Sequence, residues 1–167
     1  TGFSLNTGLL PALTSRDDVI FSDSLNHASI IDGIRLSAAQ CAIFEHQNLN
    51  HLATKIRDTP CRGKRFIVTE SLFSMDGDLT DLEALCALAE EYEALLIVDE
   101  AHATGLYGHL GAGRVQQLGL EERVLASIHT GGKALGVGGA WVASSAPVIS
   151  YLVNFCRSFI YSTAPIP

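Results

Sequence analysis

The strongest constraint on the fold is a rhythm of short apolar runs, each followed by an amphipathic stretch. Ala94-Leu95-Leu96-Ile97-Val98 is the clearest run, and it ends abruptly in Asp99. It reads as a buried strand, as do Val19-Ile20-Phe21, Arg65–Glu70, Val124–Ile128 and Ala140–Ser144, with residues 41–44 a weaker one. Between them, Leu82, Leu85, Leu88 and Ala89 recur at helical spacing in a segment opened by Asp81 and ending near Tyr92. Further helices are expected over residues 3–15 (broken by Pro11), 28–39 (apolar at Ile30, Ile31, Ile34 and Leu36), 48–57 (capped by Asn48) and 147–157. Strand–helix alternation of this kind implies βαβ units: an α/β fold of three layers, α/β/α, around a mostly parallel sheet. At 167 residues, 47% of them hydrophobic, the chain is one domain's worth of material. Ligands of open α/β sheets bind beyond the carboxyl ends of strands. Ser71, Asp99 and His129 are expected just past such ends, and glycine-rich segments cover 105–113 and 131–139.

Charge and composition remove several function classes. The net charge is −7 with no basic cluster, which gives no support for nucleic-acid binding. No apolar run reaches the roughly 18 residues of a membrane span, and no signal peptide is visible. Cys41, Cys61, Cys86 and Cys156 are scattered without a CxxC pair, so they read as reduced thiols of a cytoplasmic protein. The chain starts at Thr1 and ends at Ala164-Pro165-Ile166-Pro167, and both ends look cut from something longer.

Two constellations carry chemistry. Asp99 follows five apolar residues and so is drawn from water; an unpaired buried carboxylate is costly and calls for a cationic partner. A protonated pyridine nitrogen would serve, though a helix cap or a metal-binding acid fits the residue alone equally well. Lys133 stands in His129-Thr130-Gly131-Gly132-Lys133-Ala134-Leu135-Gly136, where small neighbours leave room for a bulky adduct. Desolvation there would favour the neutral amine that Schiff-base chemistry needs, while a solvated surface lysine is the plainer alternative. His27, in Asn26-His27-Ala28-Ser29, offers a flat ring for stacking, or else belongs to a helix-capping segment with Asn26 or Ser29 as cap. Gly2-Phe3 opens a helix whose amides could meet a phosphate.

Nucleotide and metal motifs fail on inspection. A P-loop needs glycine at position 127 and Ser or Thr after the lysine; Ser127 and Ala134 stand there. The glycine pairs 111/113 and 136/138 are followed by Gln116 and Trp141 where a dinucleotide fingerprint needs glycine. Asp76-Gly77-Asp78 lacks the later acidic ligand of a calcium loop. His46, His51 and His109 show no ligand spacing and read as ordinary polar residues, so no metal is expected.

The succession Asn26-His27-Ala28-Ser29, Phe73-Ser74-Met75-Asp76-Gly77-Asp78, Asp99-Glu100-Ala101-His102 and Thr130-Gly131-Gly132-Lys133-Ala134-Leu135-Gly136 closely resembles the α-oxoamine synthases, pyridoxal-phosphate enzymes of fold type I. Phe73–Asp78 and Phe159–Ala164 resemble the branch that condenses L-alanine with a pimeloyl thioester in biotin biosynthesis. The resemblance implies that residues 1–167 are the cofactor-binding large domain, without the family's N-terminal segment and C-terminal small domain. It implies that Lys133 carries pyridoxal 5'-phosphate as a Schiff base and moves protons, that Asp99 pairs with the ring nitrogen, and that His102 and Ser74 surround the phenolic oxygen. His27 then stacks on the ring, while Gly2, Phe3 and Thr130 hold the phosphate. Ser162 or Thr163 is expected to reach the phosphate of a neighbouring subunit, because the family builds its sites at a homodimer interface. Substrates are an amino acid and an acyl-CoA or acyl-carrier-protein thioester; the arginine for the substrate carboxylate lies outside this chain. Gly131-Gly132 departs from the family pattern, where a bulkier residue often precedes the lysine. Sister activities (glycine C-acetyltransferase, 5-aminolevulinate synthase, serine palmitoyltransferase) share these motifs, and a non-catalytic α/β fragment is the alternative from another class.

Overall fold

A computed structural model describes residues 1–163. Six strands form one sheet: β1 (Val19–Asp23), β2 (Gln40–Phe44), β3 (Arg65–Glu70), β4 (Ala94–Asp99), β5 (Ala126–Thr130) and β6 (Ala140–Ser144), in the order β2-β1-β3-β4-β5-β6. All neighbours run parallel except β6, which returns antiparallel to β5. The helices are α1 (Gly2–Leu13), α2 (Ala28–Leu36), α3 (Leu49–Asp58), α4 (Leu82–Glu91), α5 (Arg114–Gln117), α6 (Ala146–Phe155) and α7 (Arg157–Ile160).

Strand pleating sends alternate residues to opposite faces. Val19, Phe21, Ile67, Leu96 and Val98 pack with Leu52 and Ile56 of α3 and Leu82, Leu85 and Ala89 of α4. Ile20, Phe66, Val68, Ile97 and Ile128 pack on the other side with Leu9 and Leu10 of α1, Ile30 and Ile34 of α2 and Leu152 of α6. The three expected layers follow from this division, and the near-continuous apolar strands are what a sheet covered on both faces requires. Strand order reverses between β1 and β3, which opens a crevice at their carboxyl ends.

Two local expectations differ from the structure. Pro11 does not break α1, which runs unbroken to Leu13. The missing amide costs the bond to the Thr7 carbonyl only one turn from the helix end, and burial of Leu9 and Leu10 holds the helix across it. The fifth strand lies two residues later than its apolar run suggests, at Ala126–Thr130 rather than 124–128. His129 therefore sits within β5, not past it. It is buried, with its ring nitrogens 2.8 Å from Thr104 Oγ1 and 2.8 Å from Ser127 Oγ, and stacks on Trp141.

Helix α2 crosses α1 so closely that a Cβ on Gly33 would lie 2.5 Å from the Asn6 carbonyl oxygen. Gly33→Ala is expected to force the helices apart and cost about 1–3 kcal/mol, the usual penalty for overpacking. Chemical denaturation measures it; an unchanged midpoint would show that the pair yields without cost.

Candidate active site

The carboxyl ends of β3, β4 and β5, the starts of α1 and α2 and the loop after β5 line a cavity of about 170 Å³. Gly2, Phe3, His27, Asp99, Thr130 and Lys133 line it, joined by Asn6, Ser29, Glu70, Ala101 and Gly132. Ser74 and His102 are not among the lining residues: Ser74 is exposed on the loop after β3, and His102 is half-buried in the turn after Asp99. The electrostatic reach of Lys133, Asp99 and His27 nonetheless extends to His102, whose pKa lies below the ordinary value, chiefly from burial. Ser162 and Thr163 are exposed at the other end of the chain, and Ala164 lies outside the described residues.

Asp99 ends β4 and is 5% exposed. Its Oδ1 accepts from the Ala101 amide at 2.9 Å, and its Oδ2 from Asn6 Nδ2 at 2.8 Å. Both donors are neutral, and among the described residues no cation forms an ion pair with it. A buried carboxylate held by neutral donors has lone pairs to spare and no counter-charge.

Asn6 also donates to Ser29 Oγ at 3.0 Å. That hydroxyl lies 2.7 Å from His27 Nδ1, which accepts from the Ser29 amide at 3.1 Å as the N-cap of α2. With its lone pair committed to these donors, Nδ1 leaves the ring proton on Nε2. The cap is thus His27 itself, not Asn26 or Ser29 as the sequence suggests.

Thr1 caps α1 in a way that selects which amides stay free. Its Oγ1 accepts from the Ser4 amide at 3.1 Å and its carbonyl from the Leu5 amide at 3.0 Å. The amides of Gly2 and Phe3 are left as free donors at the positive end of the helix dipole. A Cβ on Gly2 would lie 3.5 Å from Thr130 Cβ, so the absent side chain keeps this corner open beside the threonine hydroxyl.

Lys133 rides a loop that folds back on itself. The amides of Gly136 and Val137 bond the carbonyls of Lys133 and Gly131, and Gly131 bonds Gly139. Gly136 (φ 64°) and Gly139 (φ 114°) supply the left-handed turns. The residue as a whole is exposed, yet its ammonium is partly desolvated, which pulls its pKa below the ordinary lysine value against the opposing charges of Asp99 and Glu70.

Glu70, which the sequence reading passed over, ends β3 beside Asp99 in the parallel register. It carries the signal that singled out Asp99: a carboxylate closing an apolar strand. Burial pushes its carboxyl up to about 7, helped by the charge of Asp99 and opposed by the His27 amide, which donates to it at 2.7 Å, and by Lys133. A folded-state pKa raised above the unfolded value means that the folded protein binds the extra proton. Stability is therefore expected to fall as pH rises from about 4.5 to about 7. Glu70→Gln should remove up to roughly 3 kcal/mol of that fall, read from urea unfolding at pH 5 and pH 8; an equally steep fall in the variant would show that another group carries it. Asn6 escaped notice because a polar residue within a helix has no distinctive spacing.

All four cysteines are free thiols, and no helix is long and apolar enough to cross a membrane, both among the described residues.

A profile of the family described as aminotransferase class I and II matches residues 1–166. The chain is 47% identical over 167 residues to the 8-amino-7-oxononanoate synthase of Geobacter sulfurreducens, and 45% over 168 residues to a protein of Geobacillus kaustophilus named as a putative 8-amino-7-oxononanoate synthase. Each match spans the whole of this chain but only 43% of the relative. Among solved structures, 8-amino-7-oxononanoate synthase from Francisella tularensis matches at 39% identity and TM-score 0.85, over 99% of this chain and 47% of that one. A serine palmitoyltransferase holding pyridoxal phosphate as an internal aldimine matches at 30% identity and TM-score 0.92, over 98% of this chain and 41% of that one.

Proposed function

Given that the chain belongs to the aminotransferase class I and II family, we propose that it is the large, cofactor-binding domain of an α-oxoamine synthase that binds pyridoxal 5'-phosphate. The reaction is the decarboxylative condensation of L-alanine with a pimeloyl thioester to give 8-amino-7-oxononanoate. The observation that carries this reading is that a buried carboxylate without an ion-pair partner, Asp99, and a partly desolvated lysine, Lys133, line one cavity.

The donor set suits the cofactor part by part. Free amides of Gly2 and Phe3 with the Thr130 hydroxyl suit a phosphate. Asp99 suits a protonated ring nitrogen, and the flat imidazole of His27 suits a ring face. Lys133 suits the aldehyde, and His102 and Ser74 are assigned to the phenolic oxygen by the family resemblance.

Bound pyridoxal phosphate supplies an electron sink for the carbanion at Cα of alanine. Asp99 keeps a proton on the ring nitrogen, which makes the sink effective. Lys133 would hold the cofactor and, with the substrate bound, would remove the Cα proton; its lowered pKa raises the fraction of neutral amine available for this. The new C–C bond forms at the thioester carbonyl as the thiolate leaves, taking its proton from solvent. Carbon dioxide departs from the resulting β-keto acid, and Lys133 returns a proton to Cα.

The substrate choice rests on the names of the relatives, and the chain spans less than half of their length. The whole protein is read as a cytoplasmic homodimer with sites at the subunit interface, and residues 1–167 alone as inactive. Assay of the full-length enzyme with alanine, glycine and serine against pimeloyl, acetyl, succinyl and palmitoyl thioesters tests the proposal. Preference for alanine with the pimeloyl donor is expected. Preference for serine with the palmitoyl donor would move the protein to the activity named for its serine palmitoyltransferase neighbours.

A further inference from the structure

We infer that His46 is a positioning residue: an imidazolium bridging Asp23 and Asp78, it ties the loop carrying Ser74 to the end of β1, where the turn to His27 begins. The functional meaning of the tie rests on the reading above, through Ser74 and His27; the tie itself rests on geometry.

His46 Nδ1 lies 2.9 Å from Asp23 Oδ1, and its Nε2 lies 2.7 Å from Asp78 Oδ2. An ionised carboxylate only accepts, so each ring nitrogen must carry a hydrogen, and the ring is charged. The Asp23 side chain is 1% exposed, that of His46 24% and that of Asp78 36%. The pair with Asp23 is thus largely shielded from water, whereas Asp78 remains partly solvated.

The surroundings hold this arrangement from several sides. The His46 ring meets Phe73 edge-on, with centroids 4.5 Å apart. Gln47 takes a left-handed backbone conformation, φ 52°, uncommon for a residue with a side chain. In that conformation its amide donates to Asp23 Oδ2 at 3.0 Å, and its side-chain amide donates to Asp78 Oδ2. The strained turn therefore delivers two donors to the same two carboxylates as the imidazole.

The two carboxylates belong to the segments that flank the candidate site. Asp23 Oδ1 also accepts from the Leu25 amide at 2.9 Å, setting the turn that leads to His27. Asp78 closes the 73–78 loop through its carbonyl, bonded by the Phe73 amide at 3.1 Å, while Leu72 and Leu79 bridge its base. Ser74 lies inside that loop.

Burial opposes the charge on His46 as the largest single effect, but the bonds and charges of Asp23 and Asp78 together outweigh it and raise its pKa. The other titratable groups on neighbouring segments are Glu45, His51, Asp76 and Glu70, and none of them bonds the ring. A raised histidine pKa makes the tie complete below the unfolded value of 6.5 and lost as pH rises through the folded value.

The test uses cofactor-free, full-length protein, so its outcome does not depend on substrate or chemistry. With ¹⁵N-labelled histidine, the His46 nitrogens are expected to show the doubly protonated form at pH 7. Hydrogen exchange in the 73–79 loop of the wild type should quicken as His46 loses its proton. Asp78→Asn, which leaves the His46–Asp23 pair in place, should quicken that exchange roughly tenfold at pH 7, the scale of one charge-assisted bond. His46→Asn should additionally loosen residues 24–27. A neutral His46 at pH 7, or unchanged exchange of the loop in Asp78→Asn, overturns the inference. Failure of the assay for condensation, with these results intact, would refute only the function.

Discussion

Lys133→Ala in the full-length protein is expected to lower turnover by 10²-fold at the least, and to abolish the visible absorbance of lysine-bound cofactor. A positioned amine contributes roughly 10²–10⁴-fold as a general acid–base group, and this lysine is proposed to serve as anchor as well as base. The protein should fold normally. Lys133 lies on an exposed loop shaped by backbone bonds among Gly131, Val137 and Gly139, none of which uses its side chain. Unfolding midpoints matching the wild type, together with lost colour and lost turnover, separate the chemical role from a structural one. Retained turnover would remove Lys133 from the mechanism.

Asp99→Asn is expected to weaken cofactor binding by about 10–100-fold, the worth of roughly 1.5–3 kcal/mol for a hydrogen bond to a charged group. The steps that need the electron sink should slow as well. The reason lies in the local network. Asp99 faces two donors, the Ala101 amide and Asn6 Nδ2. An asparagine there would turn its own NH₂ toward one of them. The Asn6 amide can answer by flipping, because its Oδ1 is buried without a partner, but the flip would withdraw the donor that Ser29 now receives. The same substitution should therefore disturb His27, whose Nδ1 depends on the Ser29 hydroxyl. Equilibrium dialysis with pyridoxal phosphate and ¹⁵N shifts of His27 measure the two effects. Wild-type affinity in Asp99→Asn would mean that the ring nitrogen is not its partner.

The sheet was legible because its strands are written as uninterrupted apolar runs, and residues buried on both faces leave no other pattern. Asp99 and Lys133 were legible for the opposite reason: each is a charged residue where the local composition argues against one. What escaped was geometry carried by ordinary residues. Asn6 reaches Asp99 across a separation of 93 residues, and nothing in the run Gly2-Phe3-Ser4-Leu5-Asn6 marks it for that task. His46 reads as any polar residue until Asp23 and Asp78 are brought to its two nitrogens. Pro11 does not end the helix because its poor propensity is outweighed by the burial of Leu9 and Leu10 just before it. His129 was misplaced because β5 extends past its apolar run, its buried polar end satisfied by Thr104 and Ser127.

In the function proposed above, one cavity presents Lys133 to the aldehyde of a cofactor whose ring nitrogen meets Asp99. Borohydride reduction of the full-length protein with pyridoxal phosphate, followed by peptide mapping, tests it most directly. The phosphopyridoxyl group is expected on Lys133, with Lys55 and Lys64 unmodified at stoichiometric cofactor, and labelling should drop sharply in Asp99→Asn. Label spread evenly over Lys55, Lys64 and Lys133, or none on Lys133, would refute it.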